Sequence, residues 1–317
     1  MADSTKYITQ EELKKHNKHG DLWISIQGKI YNVSDWAKDH PGGEHPLLNL
    51  AGQDVTEAFI AYHPRSAWQY MDQFFTGFHL KDHSFTEVSK DYRKLVNEFT
   101  KMGLFEKKGH GILTGNCLAG ISIAWWKWNH NAHHLACNSL EFDPDLQHMP
   151  FFVVSSKFFD SLTSHFYGRK LSFDSITRSL VSYQHWTFYP VMCLARLNLF
   201  AQSFALLLSK RKFIIEVKRF LVTGIQHVQF CLNHFSANVY VGLPSSYDWF
   251  EKQTKGTLNI LCPSWMDWFH GGLQFQIEHH LFPRLPKSQL RKISPFVYEL
   301  CKKHNLPYNC ASFGKLM

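Results

Sequence analysis

The pattern of apolar and polar positions divides the chain into three stretches. In the first, Leu22-Trp23-Ile24-Ser25-Ile26 and Lys29-Ile30-Tyr31-Asn32-Val33 are strand-like runs around Gln27-Gly28, a two-residue hairpin signal. Asp35 is placed to cap a short helix after the second run. Asp54, with Glu57 three residues on, resembles a capping box before a helix over 55–62. From 81 to 109 the pattern is polar and charged and predicts a helical linker. Beyond it, the longest runs without Asp, Glu, Lys or Arg are 109–126, 179–195 and 220–247. Each is long enough for about one crossing of a ~30 Å hydrocarbon layer. None is purely apolar: the first holds His110 and Asn116, the second Gln184, His185 and Pro190, the third His227, Asn233, His234 and Asn238. They read as marginal spans or interfacial helices that need protein neighbours, with a soluble helical core as the plain alternative.

Charge sharpens the division. The 317 residues carry a net +8, but 1–81 is net −2 and 82–317 is net +10. An acidic head on a basic body suggests a body that meets nucleic acid or an anionic membrane face. The basic residues are scattered without a nucleic-acid-binding motif, which removes the first. Seven cysteines without a Cys-x-x-Cys pair argue against a disulfide framework or zinc ribbon, and fit a reducing, cytosol-facing setting. No apolar h-region of a cleaved signal peptide follows Met1. Twenty histidines exceed what a generic core uses.

Three histidine patterns carry candidate chemistry. His40-Pro41-Gly42-Gly43 can turn sharply and project His40 into a cleft, or be a plain turn. With His63 opposite, two imidazoles could fill both axial sites of a haem iron, leaving outer-sphere electron transfer. In His130-Asn131-Ala132-His133-His134, positions i, i+3 and i+4 of a helix fall within a ~100° arc. Gln276-Ile277-Glu278-His279-His280 repeats the geometry with glutamine leading. Imidazole suits iron, whereas Gln276 would position a ligand or water by hydrogen bonding. His227 and His234, two turns apart, share a helix face and either join a metal site or sit hydrogen-bonded in the core.

Residues 7–81 resemble the cytochrome b5 family, through Tyr7-Ile8-Thr9, Gly28-Lys29-Ile30-Tyr31-Asn32-Val33, His40-Pro41-Gly42-Gly43, the run from Leu50 to Phe59, and His63-Pro64. The remainder resembles the membrane-bound front-end desaturases with a fused cytochrome b5, most of all the plant delta-8 sphingolipid desaturases. Matching text includes 120–134, Asp143-Pro144-Asp145-Leu146-Gln147-His148, Tyr183-Gln184-His185-Trp186, 226–235 and 263–309. The resemblance implies haem b on His40 and His63, and a non-haem di-iron centre on His130, His133, His134, His279 and His280, with His227 and His234 as further candidates. It implies electrons from NADH through cytochrome b5 reductase, O2-dependent desaturation of a sphingoid base or acyl chain, and a cytosol-facing place in the endoplasmic reticulum membrane. Fusion of donor and acceptor raises their effective concentration.

One departure matters. The family's first box, a His-Asp-x-x-His-like element ahead of His130, is absent, and apolar sequence is also missing near Lys212-Phe213. The His-x-x-x-His that lies ahead of His130, at His79 and His83, falls in the charged linker and reads as solvated. The expected architecture is therefore an α+β cytochrome b5-like domain (1–81), a helical linker (82–110) and an incomplete, mainly α-helical, membrane-associated desaturase domain (111–317). The alternative to an active enzyme is a shortened copy that binds haem and carries electrons only.

Overall fold

The computed structural model describes residues 6–80, 86–106, 123–192, 234–235, 237–242 and 248–312. Five strands build the head: β1 (Tyr7–Thr9), β2 (Asn17–Lys18), β3 (Asp21–Ile26), β4 (Lys29–Asn32) and β5 (Phe75–Leu80). Their spatial order is β1-β5-β4-β3-β2, with β1 parallel to β5 and the other pairs antiparallel. Gln27 and Gly28 turn β3 into β4 with φ of 51° and 79°, both in the left-handed region that a tight hairpin of this twist requires. Leu22, Ile24, Ile26, Tyr31 and Val33 then face Ala58 and Phe59 of the helix Thr56–Tyr62 in one apolar core.

Three local expectations are corrected. Asp35 caps nothing: the turn after β4 is a single 3-10 turn, Ala37–Asp39, with no side-chain cap. Asp54 does accept from the Thr56 amide at 3.0 Å, but Glu57 does not reciprocate, because its carboxylate takes hydrogen bonds from Ser89 and Arg93 instead. His79 is not solvated. It is a buried β5 residue whose Nδ1 meets the Ser25 hydroxyl at 3.0 Å, and His83 lies outside the described residues.

The predicted linker helix forms at Glu87–Lys101, capped by Thr86, but it is part of the body rather than a spacer. Val88, Tyr92, Leu95, Val96 and Phe99 recur at helical spacing and pack on Phe250, Ile277, Phe282, Ile293 and Val297. The Tyr92 hydroxyl donates to the Leu281 carbonyl at 2.7 Å, which ties this helix to the second histidine box. An α+β head followed by a mainly helical body is thus the architecture, as the sequence predicts.

Head and body share packing. Leu135 and Trp249 join the head's core, and Ile60 packs against the body's. Arg284 donates to the His63 carbonyl at 2.8 Å, and the Tyr62 hydroxyl to the His134 carbonyl at 3.4 Å.

The membrane expectation is overturned. No helix among the described residues is long and apolar enough to cross a membrane. The described part of the helix at Ile123–Leu135 contains Lys127 and Asn129. The helix Ser175–Ser182 ends in a turn at Tyr183, inside the 179–195 run. Much of 109–126 and 220–247, including His110 and His227, lies outside the described residues.

Candidate metal and haem sites

Of the two boxes present, the first lies on the helix Ile123–Leu135, so His130, His133 and His134 leave one face within little more than one turn. After the helix ends at Leu135, Asn138 takes φ of 61° in the following turn, and the chain doubles back to bring Asp143 beneath His133. The second box occupies the helix Gln276–Leu281, buried along its whole length. Its entry needs Gly272, at φ 89°, where a Cβ would come within 2.7 Å of Lys287. Gln253, from the helix Trp249–Lys255, straps the two boxes together. Its Nε2 donates to the His134 carbonyl at 2.9 Å and its Oε1 accepts from His280 Nδ1 at 2.8 Å.

Two histidine-rich donor clusters result among the described residues. In the first, the Nε2 atoms of His130, His134 and His279 stand 2.9, 3.1 and 3.2 Å apart. Nitrogens bound to one ion at about 2.0–2.1 Å are about 2.9 Å apart at right angles and about 3.4 Å apart in a tetrahedron. The observed spacing lies between. The second cluster contains His133, Cys137, His234 and His280, with His133 Nε2 and His280 Nε2 3.4 Å apart. All these side chains are buried.

Burial is the main cause that holds His130, His134, His234, His279 and His280 below the usual imidazole range, His279 at about 3. Neutral imidazoles are the form that binds a cation. His133 behaves oppositely. Burial pulls it down, but the Asp143 and Asp145 carboxylates outweigh that and raise it. Asp143 Oδ2 accepts from His133 Nδ1 at 2.8 Å, fixing its Nε2 as the lone-pair atom. The donor set fits metal ions such as iron: buried, convergent imidazole nitrogens, one of them backed by a carboxylate.

The remaining candidates divide. Gln276 donates through Nε2 to the Leu273 carbonyl at 3.0 Å, and its buried Oε1 has no protein partner among the described residues, an acceptor left for water or ligand. Glu278 faces away, accepting from Tyr308 and Asn259. Cys137, Asp143 and Gln253 were not singled out as site residues in the sequence. For Asp143 a signal existed in the Asp-Pro-Asp text; for Gln253 there was none.

In the head, His40 and His63 face one another with ring centroids 5.9 Å apart. His40 Nδ1 donates to the Gly43 carbonyl at 2.7 Å and His63 Nδ1 to the Phe59 carbonyl at 3.2 Å, so both present Nε2 as a lone pair. Burial first, then the neighbouring His40, lowers His63 to about 4. Two neutral, oriented imidazoles across a gap fit the axial positions of a haem. His45, five residues past His40, is half-buried with its ring 5.4 Å from that of Phe166.

Comparison with known proteins follows the same division. Residues 9–79 match the cytochrome b5-like heme/steroid binding domain, and 98–312 match the fatty acid desaturase family. An acyl-lipid (9-3)-desaturase of Borago officinalis is 53% identical, covering 99% of this chain and 92% of that protein. Delta(8)-fatty-acid desaturase 2 of Arabidopsis thaliana is 52% identical over the same shares. Delta 8-(E)-sphingolipid desaturases are more distant. That of Komagataella phaffii is 36% identical and covers 64% of this chain and 44% of its own. The resemblance to plant sphingolipid desaturases is therefore corrected: the similar plant proteins are acyl-lipid and delta(8)-fatty-acid desaturases. The Borago alignment runs over 410 residues against 317 here, so at least 93 of its positions face gaps in this chain.

Proposed function

The chain belongs to the fatty acid desaturase family and carries a cytochrome b5-like domain at its head, and from that premise we propose that it desaturates the acyl chain of a lipid at a non-haem di-iron centre. In this reading 1–81 is the haem domain, 111–317 the desaturase body, and 82–110 the connection between them, whose helix Glu87–Lys101 packs into that body. Haem b on His40 and His63 would supply single electrons, received from NADH through cytochrome b5 reductase, and iron in the histidine clusters would supply the O2-dependent removal of two hydrogens from an alkyl chain.

The observation that carries the reading is the convergence of two boxes, nearly 150 residues apart in sequence, into adjacent buried clusters of imidazoles. His130, His134 and His279 would hold one ion; His133, His234 and His280 the other. Asp143 and Gln253 fix the imidazoles, and burial excludes bulk water. His227 enters the proposal on its two-turn spacing from His234.

The gap of at least 93 positions favours a second reading, a copy that takes up haem and carries electrons without desaturating. Expression in a host lacking this activity, with analysis of the lipid acyl chains by mass spectrometry, decides between them. The proposal requires a new double bond that is lost in His133→Ala and His280→Ala. No product, while NADH and reductase still reduce the haem, leaves the second reading standing.

A further inference from the structure

We propose that Cys137 is a metal ligand, so that His133, His234, His280 and a Cys137 thiolate make one centre of mixed nitrogen and sulfur ligation for a first-row transition ion. The proposal rests on the reading that these clusters bind metal and is independent of whether the chain desaturates a lipid.

Three imidazoles are aimed from behind. His133 Nδ1 meets Asp143 at 2.8 Å, His280 Nδ1 meets Gln253 Oε1 at 2.8 Å, and His234 Nδ1 donates to the Gly256 carbonyl at 3.2 Å. A ring whose Nδ1 carries the proton presents Nε2 as a lone pair, so all three point their free electrons inward. The first cluster has no such support on two of its rings: Nδ1 of His134 and of His279 is buried without a protein partner among the described residues. The second cluster is therefore the better organised of the two.

Its fourth corner is sulfur. Cys137 follows His133 by four residues, and its fully buried Sγ lies within 4.8 Å of a ring nitrogen of each of the three imidazoles. Small side-chain rotations close that span onto an ion with metal–sulfur and metal–nitrogen bonds of about 2.3 Å and 2.0–2.1 Å. The thiol's hydrogen bond is a long one, 3.6 Å to the Gly256 carbonyl. Gly256 also makes room, since a Cβ there would come within 2.8 Å of Sγ. On binding, the S–H bond breaks, the sulfur keeps the electron pair and donates it to the metal, and one proton leaves to solvent for each ion bound. A thiolate shifts the centre towards softer ions than imidazole alone selects.

Zinc K-edge X-ray absorption on the full, haem-containing chain tests this, because the haem iron does not contribute at that edge. The chain is stripped with chelator and loaded with two equivalents of zinc, one for each cluster. The expected result is a sulfur shell at about 2.3 Å, near one sulfur per two zinc ions. That shell disappears in Cys137→Ser, which still binds zinc but at least tenfold more weakly at this centre. His130→Ala, which disables the first cluster, raises the ratio towards one sulfur per zinc. Zinc bound by nitrogen alone in the native chain, or a sulfur shell that survives Cys137→Ser, overturns the thiolate while leaving the metal reading intact. Failure to bind zinc at all overturns both.

Discussion

Replacing Asp143 by asparagine separates a designed metal centre from a chance gathering of histidines. Asp143 is fully buried and accepts three hydrogen bonds: Oδ2 from His133 Nδ1 and the Asn138 amide, both at 2.8 Å, and Oδ1 from the Asp145 amide at 2.9 Å. An amide nitrogen cannot accept any of them. Placed at the Oδ2 position, it faces two donors. His133 can then relieve the clash only by moving its proton to Nε2, which is the atom that would bind metal. Placed at Oδ1, it faces the Asp145 amide, and the charge opposite His133 is lost in either case. Loss of such a supporting group costs about 10–100-fold in metal affinity, or about 1.4–2.7 kcal/mol. Hydrogen bonds to a charged acceptor add about 1.5–3 kcal/mol of stability each, so the fold should weaken as well. Competition between the protein and a chelator measures the affinity, with circular dichroism to confirm that the variant is folded. Asp145→Asn is the control, because its carboxylate lies 3.7 Å from His133 Nδ1, beyond hydrogen-bond distance, and should cost less. An Asp143→Asn affinity within threefold of native, or equal losses in both variants, refutes the reasoning.

His63→Ala should abolish the low-spin b-type haem spectrum, and an unchanged spectrum would remove His63 as a ligand. Without haem, His63 sits at about 4 in the fold against 6.5 for an ordinary histidine. The unfolded chain therefore binds more protons between those values, and stability falls as pH drops from about 6.5 to 4, by about 3 kcal/mol from this group. Denaturant melts of the haem-free protein across that window, compared with His63→Ala, measure the contribution. Tyr92→Phe should cost about 1–3 kcal/mol, since it leaves the buried Leu281 carbonyl without its donor. A midpoint unchanged in urea would show that the 87–101 helix is not anchored to the second box.

Local signals in the sequence carried the elements whose geometry is decided locally. Gln27-Gly28 specifies its hairpin because few residue pairs accept two positive φ values in succession. The boxes were legible because i, i+3 and i+4 share a helix face whatever surrounds the helix. Legibility ended where a side chain had competing partners. Glu57 abandons the cap for Arg93, 36 residues away. His79 follows the strand into the core rather than the charged text around it. Gln253 reaches both boxes only once the chain has folded, and glutamine at that position carries no spacing that announces it. The length of a charge-free run, finally, says nothing about whether one helix uses all of it, and the turn at Tyr183 interrupts the middle one.

The bond from Arg284 to the His63 carbonyl has a kinetic meaning. A donor on a loose tether works as a shuttle: it collects an electron at one place, swings, and discharges at another, at a rate set by tether length and ionic strength. Here the segment that carries a candidate haem ligand is fastened to the body twice, through Arg284 just past one box and through Tyr62 to the carbonyl of His134 in the other. Under the proposed function the head is a relay in fixed position: each transfer from it inward would be a unimolecular event, insensitive to salt and to the length of the linker, and a reductant of the haem would have to come to the assembled molecule from outside.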